Sequence, residues 1–199
     1  MLTDNLYQLI YSWLRTCKWT LLKEGEEMKR ISSDPSHFEF DRFFRETIEF
    51  EGGCNNGSQH SLDKGGYTKY GLASRSHPSL DLKSLTLEQA KTIYYDEYWR
   101  KARCDELPTS IAGYFFDTCV NCGISGGTKI LQQAIRNQLS IDLSVDGIIG
   151  PETLRYAKQL DIARFKFWRI KHYFDIVNKR PSQMVFLYGW YRRATEYGL

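Results

Sequence analysis

Apolar residues recur every three or four positions along almost the whole of this sequence, and only one short stretch abandons that rhythm. The pattern runs through Phe40, Phe43, Phe44, Thr47 and Ile48, then Leu87, Ala90, Ile93, Tyr94 and Tyr98, then Ile130, Leu131, Ala134 and Ile135. A further face holds Leu154, Ala157, Leu160 and Phe165, and two aromatic-rich stretches, about 167–176 and 183–197, complete it. Local signals agree: Thr86 with Gln89 reads as a capping box, Gly123 as the stop of a helix beginning near Thr109, and Pro151 as a first helical position. The exception is Asp63-Lys64-Gly65-Gly66-Tyr67-Thr68-Lys69-Tyr70-Gly71-Leu72, where glycines alternate with aromatic and β-branched residues as in a tight hairpin. The expected fold is mainly α, with one short β-hairpin after the helix that carries Phe40 to Ile48.

Residues 1–36 form a separate segment. Leu2, Leu6, Leu9, Ile10, Trp13, Leu14, Cys17 and Leu21 make a broad apolar stripe, followed by a charged, turn-prone run ending near Asp34-Pro35. It reads as an amphipathic helix that packs on the body or engages a secretion or lysis partner. It has none of the basic, apolar and small-residue order of a cleavable signal, and no run in the chain is apolar enough for a membrane span. A net charge of +3 over 199 residues is too weak for a dedicated nucleic-acid binder. Five scattered cysteines suggest reduced thiols, and Cys119-x-x-Cys122 without a second pair is a poor zinc site, so neither metal nor cofactor is expected. Synthesis in a cytoplasm is the expectation.

Chemistry concentrates around Glu51, Asp63 and Thr68. Glu51 ends the Phe-rich helical face just before Gly52-Gly53, Asp63 lies on the turn that follows, and Thr68 is beside it. Glycoside hydrolysis needs one carboxylic acid that stays protonated, which an apolar setting favours, and a second, solvated carboxylate. Glu51 suits the first role and Asp63 the second. Thr68 offers a hydroxyl that holds water without adding charge. His60 is an alternative base, though a loop histidine is more often simply exposed. An aromatic content of 15% fits either a dense core or a sugar groove. Tyr67, Tyr70, Tyr94, Tyr98 and Trp99 are groove candidates, with core burial equally open for each. Asp146, in Asp146-Gly147-Ile148-Ile149-Gly150-Pro151, is a candidate glycan or peptide contact, with a purely structural turn as the competing reading.

These motifs resemble the muramidases of glycoside hydrolase family 108. The resemblance rests on Phe50-Glu51-Gly52-Gly53, the stretch 63–72, Tyr94-Tyr95-Asp96-Glu97-Tyr98-Trp99, Phe116-Asp117, Asn121-Cys122-Gly123 and Leu131-Gln132-Gln133-Ala134. The C-terminal third, with the turn at 146–151 and Gly189-Trp190-Tyr191-Arg192-Arg193, resembles that family's predicted peptidoglycan-binding region. The resemblance implies a lysozyme-like catalytic region over 37–125, a peptidoglycan-binding-like region over 126–199, and bacterial peptidoglycan as substrate. It implies cleavage of the β-1,4 bond between N-acetylmuramic acid and N-acetylglucosamine, with Glu51 as the catalytic acid and Asp63 and Thr68 as its partners. A loop from Glu51 to Asp63 about three residues longer than the family pattern leaves two alternatives: a binding or secretion-assisting protein of the same fold, and a lytic transglycosylase.

Overall fold

The computed structural model describes residues 35–51 and 67–198, with side chains from Glu39 onward. The stretch before Pro35 and the loop Gly52–Gly66, with Cys54, His60 and Asp63, lie outside the described residues. Seven α-helices are described: α1 (Pro35–Phe50), α2 (Leu87–Tyr94), α3 (Thr109–Cys122), α4 (Ile124–Leu139), α5 (Pro151–Ala157), α6 (Ile162–Lys179) and α7 (Met184–Glu196). Two strands, β1 (Thr68–Lys69) and β2 (Leu72–Ala73), pair antiparallel with Thr68 opposite Ala73 and Lys69 opposite Leu72. The fold is mainly α and lysozyme-like, with one short hairpin, and among the described residues no helix is long and apolar enough to cross a membrane.

The hairpin follows from its two central residues. Tyr70 and Gly71 have φ of 51° and 75°, the left-handed pair that a two-residue type I′ loop requires. Gly71 adopts this freely, and Tyr70 is held there with its ring buried. A further bond from Ser74 N to Tyr67 O (2.9 Å) extends the ladder.

The described residues fall into two units, one drawn from Met1–Phe38 and Ile48–Ala90, the other from Glu39–Thr47 and Lys91–Leu199. In the first, Leu72, Leu82, Leu85 and Ala90 are buried, and the expected capping box is present: Gln89 N donates to Thr86 Oγ1 (3.2 Å) and Thr86 N to Gln89 Oε1 (2.8 Å).

In the second unit α3 is buried along almost its whole length, from Ile111 to Cys119. Its Gly113 admits the ring of Phe43 so closely that a Cβ there would collide with it. Gly127 plays the same part between α4 and α3, since a Cβ would lie 2.8 Å from Cys119 Sγ. Burial pushes the Cys104 and Cys119 thiols well up, so both are inert core groups.

One boundary differs from expectation. The face holding Leu154, Ala157, Leu160 and Phe165 predicts a continuous helix, yet α5 ends at Ala157 and α6 starts at Ile162. Asp161 explains the break, because its Oδ1 accepts the Ala163 N–H (2.8 Å) and caps the new helix.

Candidate functional site

Glu51 occupies the turn residue directly after α1 and is half-buried. The apolar spacing of α1 fixes where the helix points, and its end at Phe50 leaves Glu51 as the first side chain beyond it. Thr68 opens β1 in the same unit and is half-buried, as is Tyr67, while Tyr70 is buried at the loop. The hairpin therefore brings Tyr67, Thr68 and Tyr70 together within four residues of chain. Lys69 anchors it, with Nζ donating to the Lys83 carbonyl (3.1 Å). Asp63, the expected second carboxylate, lies outside the described residues.

The remaining expected site residues belong to the larger unit. Trp99 is a core residue: it is 1% exposed, stacks on Phe43 at 5.9 Å, and meets Phe40 and Phe116 at 5.3 and 5.6 Å. Its indole N–H donates to Asp105 Oδ1 (2.7 Å). A groove-lining Trp99 is thus corrected to a packing residue with no face open to a sugar. Phe40, Phe43 and Phe44, read as the apolar support of Glu51, are committed to this same aromatic core. Tyr98 remains half-buried and stacks on buried Tyr94 at 5.6 Å. Tyr94 precedes and Tyr98 lies within a π-helical turn, Tyr95–Trp99, closed by Arg100 N donating to Tyr95 O (2.8 Å).

Asp146 is exposed, and its carboxylate works within its own turn. It accepts from Gln132 Nε2 (2.8 Å) and Ile148 N (2.8 Å), the hydrogen bond from Gln132 first among the causes that hold its carboxyl below the usual range. Gln132 is buried on α4 and also takes the Gly147 N–H on its Oε1 (2.9 Å). Gly147, at φ 82°, sits so close to Ser125 that a Cβ would clash. The turn is therefore built by Gln132, a residue visible in the sequence as a polar side chain amid Ile130, Leu131, Ala134 and Ile135.

A second polar cluster escaped the sequence entirely. Asp117 is fully buried on α3 between two arginines: Arg193 Nη2 donates to Oδ1 (2.7 Å) and Arg193 Nε to both oxygens (3.0 and 3.1 Å). Arg169 Nη1 lies 2.8 Å from Oδ2 as an ion contact. The single hydrogen of Thr47 Oγ1 serves either Asp117 Oδ1 (3.2 Å) or Tyr197 Oη (3.0 Å). Arg169 Nε donates to Tyr173 Oη (2.7 Å), which donates to Asn121 Oδ1 (2.8 Å), and the Arg169 guanidinium lies over the Tyr114 ring at 5.0 Å. Burial alone would push the Asp117 carboxyl up, but Arg169 and then Arg193 together outweigh it and hold it below the ordinary aspartate value. With no path to solvent, this cluster is structural. Among the described residues no group of His, Cys, Asp or Glu is arranged to hold a metal ion.

Comparison with known proteins follows the same division of the chain. Residues 44–123, which include Glu51 and Thr68, match the family described as glycosyl hydrolase 108, and residues 126–195 match a predicted peptidoglycan domain. No curated protein gives a significant match. A solved structure, Brucella abortus SagA, is similar at 24% identity with a TM-score of 0.62, covering 78% of this chain and 89% of that one. That likeness establishes the shared fold. The sequence matches add the chemistry: the match to glycosyl hydrolase 108 over residues 44–123 indicates a glycoside hydrolase of the muramidase type, followed at 126–195 by a predicted peptidoglycan domain.

Proposed function

We propose that the chain is an N-acetylmuramidase that hydrolyses the β-1,4 bond between N-acetylmuramic acid and N-acetylglucosamine in bacterial peptidoglycan, with Glu51 as general acid. A peptidoglycan hydrolase of the lysozyme-like kind is the coarser statement that the family matches support. The observation that carries the finer one is the position of Glu51 inside the hydrolase match, one residue past the end of α1 and only half-buried. A rigid helix end fixes the carboxyl's origin while leaving it accessible to a glycan. Proton donation to the leaving glycosidic oxygen then generates an oxocarbenium-like centre at the muramic acid. Thr68, held by the hairpin's register, positions water, and Asp63 supplies the charge opposite that centre. Tyr67 and Tyr98, both half-exposed, are the aromatic faces proposed to contact sugar rings.

Glu51→Gln keeps the side chain's size and removes its proton. Reducing-end release from purified peptidoglycan should fall by a factor on the order of 10³, the middle of what general acid catalysis contributes. An unchanged rate overturns the assignment. Mass spectrometry of the fragments checks the reaction class, because hydrolysis adds water and transglycosylation leaves an anhydro ring. Action at the cell wall follows from the substrate. For residues 1–36 we propose a role in meeting a secretion or lysis partner, testable by comparing wall release in cells with full-length and truncated chains.

A further inference from the structure

Three polar side chains form a stripe along the C-terminal half of α4. Gln133, Arg136 and Asn137 stand at spacings of three and four, so the helix turns them to one face, and Ser140 follows just past the helix end. That face, with the loop that follows it and Trp168 of α6, lines an open cleft of about 560 Å³ in the larger unit. The volume falls in the ordinary range for small-ligand sites.

The cleft differs from the other polar clusters of the unit. Around Gln132 and Asp117 the polar side chains are tied to neighbours, although Arg169 keeps Nη1 and Nη2 buried without a hydrogen-bond partner. Along the stripe, Gln133, Arg136 and Asn137 make no side-chain hydrogen bond or ion pair among the described residues, so two amides and one guanidinium are unclaimed. Trp168 Nε1 is buried without a hydrogen-bond partner there, a donor that folding leaves unsatisfied at a cost. Ser140 closes the helix at φ 53°, a left-handed conformation that a serine holds only under constraint. Arg136 is the only charged residue of the lining.

We infer that this cleft is a binding site for the carboxylate-bearing stem peptide of peptidoglycan, with the carboxylate on Arg136, the peptide amides on Gln133 and Asn137, and the Trp168 side chain as a wall beside them. The choice of peptide over sugar is made by charge and donor type. A glycan strand presents hydroxyls and neutral acetamides, whereas a stem peptide presents carboxylates and a row of amides, the complement of one guanidinium and two carboxamides. The inference rests on the reading of the chain as a peptidoglycan hydrolase. It adds that the substrate is gripped by its peptide, away from the bond to be cut.

The test uses the full chain, a synthetic stem pentapeptide ending in a free carboxylate, and chitotetraose as the peptide-free glycan. Binding is followed by the Trp168 indole N–H resonance, assigned by its loss in Trp168→Phe. The pentapeptide should move that resonance saturably, chitotetraose should leave it in place, and Arg136→Gln, a change at an exposed residue, should weaken peptide binding roughly tenfold. Absence of saturable peptide binding, equal binding by Arg136→Gln, or movement of the resonance by chitotetraose overturns the inference. Wall degradation in parallel separates the two readings: degradation without peptide binding removes the cleft and keeps the hydrolase, and peptide binding without degradation does the reverse.

Discussion

The smaller unit and the larger one treat their charged residues in opposite ways. Glu51 stands half-buried at the end of a helix and Thr68 at the start of a two-residue strand, both at margins of elements. Asp117, Arg169 and Arg193 are sealed inside the helices, each tied to partners from elsewhere in the chain. A group that must exchange a proton with a large polymer has to stay reachable. A group that fixes helix packing gains from exclusion of water, because a buried carboxylate tolerates only the arrangement that neutralises it. The contrast separates the proposed site of reaction from the region that is made rigid, and it predicts that the two regions respond to substitution differently.

The sharpest way to break that contrast is Asp117→Asn, which leaves two buried guanidiniums without their counter-charge. A loss of about 3–5 kcal/mol in chemical denaturation is expected, and a loss under 1 kcal/mol would show the cluster to be dispensable. Wild-type stability should carry the same signature in pH. Because the Asp117 carboxyl is held below its ordinary value when folded, its contribution is complete above the unfolded value of about 4 and disappears as pH falls through the native one. Acid titration monitored by circular dichroism should show unfolding there, and in Asp117→Asn that component should be absent. Trp99→Phe comes next. It removes the bond to Asp105 and part of a packed ring, so about 2 kcal/mol should be lost while affinity for peptidoglycan is unchanged. An affinity loss without a stability loss would return Trp99 to the groove. Asp161→Ala, which deletes the cap of α6, should cost about 1 kcal/mol by thermal melting. Smallest of all is the stability effect of Glu51→Gln, expected within about 0.5 kcal/mol because it sits at a margin. A larger loss would mean that Glu51 holds the fold together, and the two regions would then not be distinct in kind.

The parts visible in the sequence were those written in neighbouring residues. The hairpin was legible because a left-handed turn leaves the pattern Tyr70-Gly71 between short strands, and the end of α1 beside Glu51 because a helical face runs into Gly52-Gly53. The break at Asp161 was hidden by apolar spacing that continues across it from Leu154 to Phe165, so the cap signal was outvoted by periodicity. Trp99 was undecidable for another reason: an indole among tyrosines is suited to core and groove alike, and only Phe40, Phe43 and Phe116, brought to it by tertiary packing, decide. The ion cluster was beyond reach altogether, since Asp117 meets Arg193 across a separation of 76 positions and neither residue carries a local mark of the other.

That separation also sets an order of events. The Tyr197 hydroxyl donates to the Phe43 carbonyl and lies 3.0 Å from Thr47 Oγ1, while Arg193 grips Asp117. On a ribosome, where chains emerge N-terminal end first, Arg193 and Tyr197 are synthesised long after the Asp117 and Thr47 that they bind. Until they appear, α1 and α3 carry an uncompensated carboxylate in what will become their dry interior. A peptidoglycan-cutting fold of this design therefore sets firm only once α7 has been delivered, and a chain that lacks α7 is held short of the completed state.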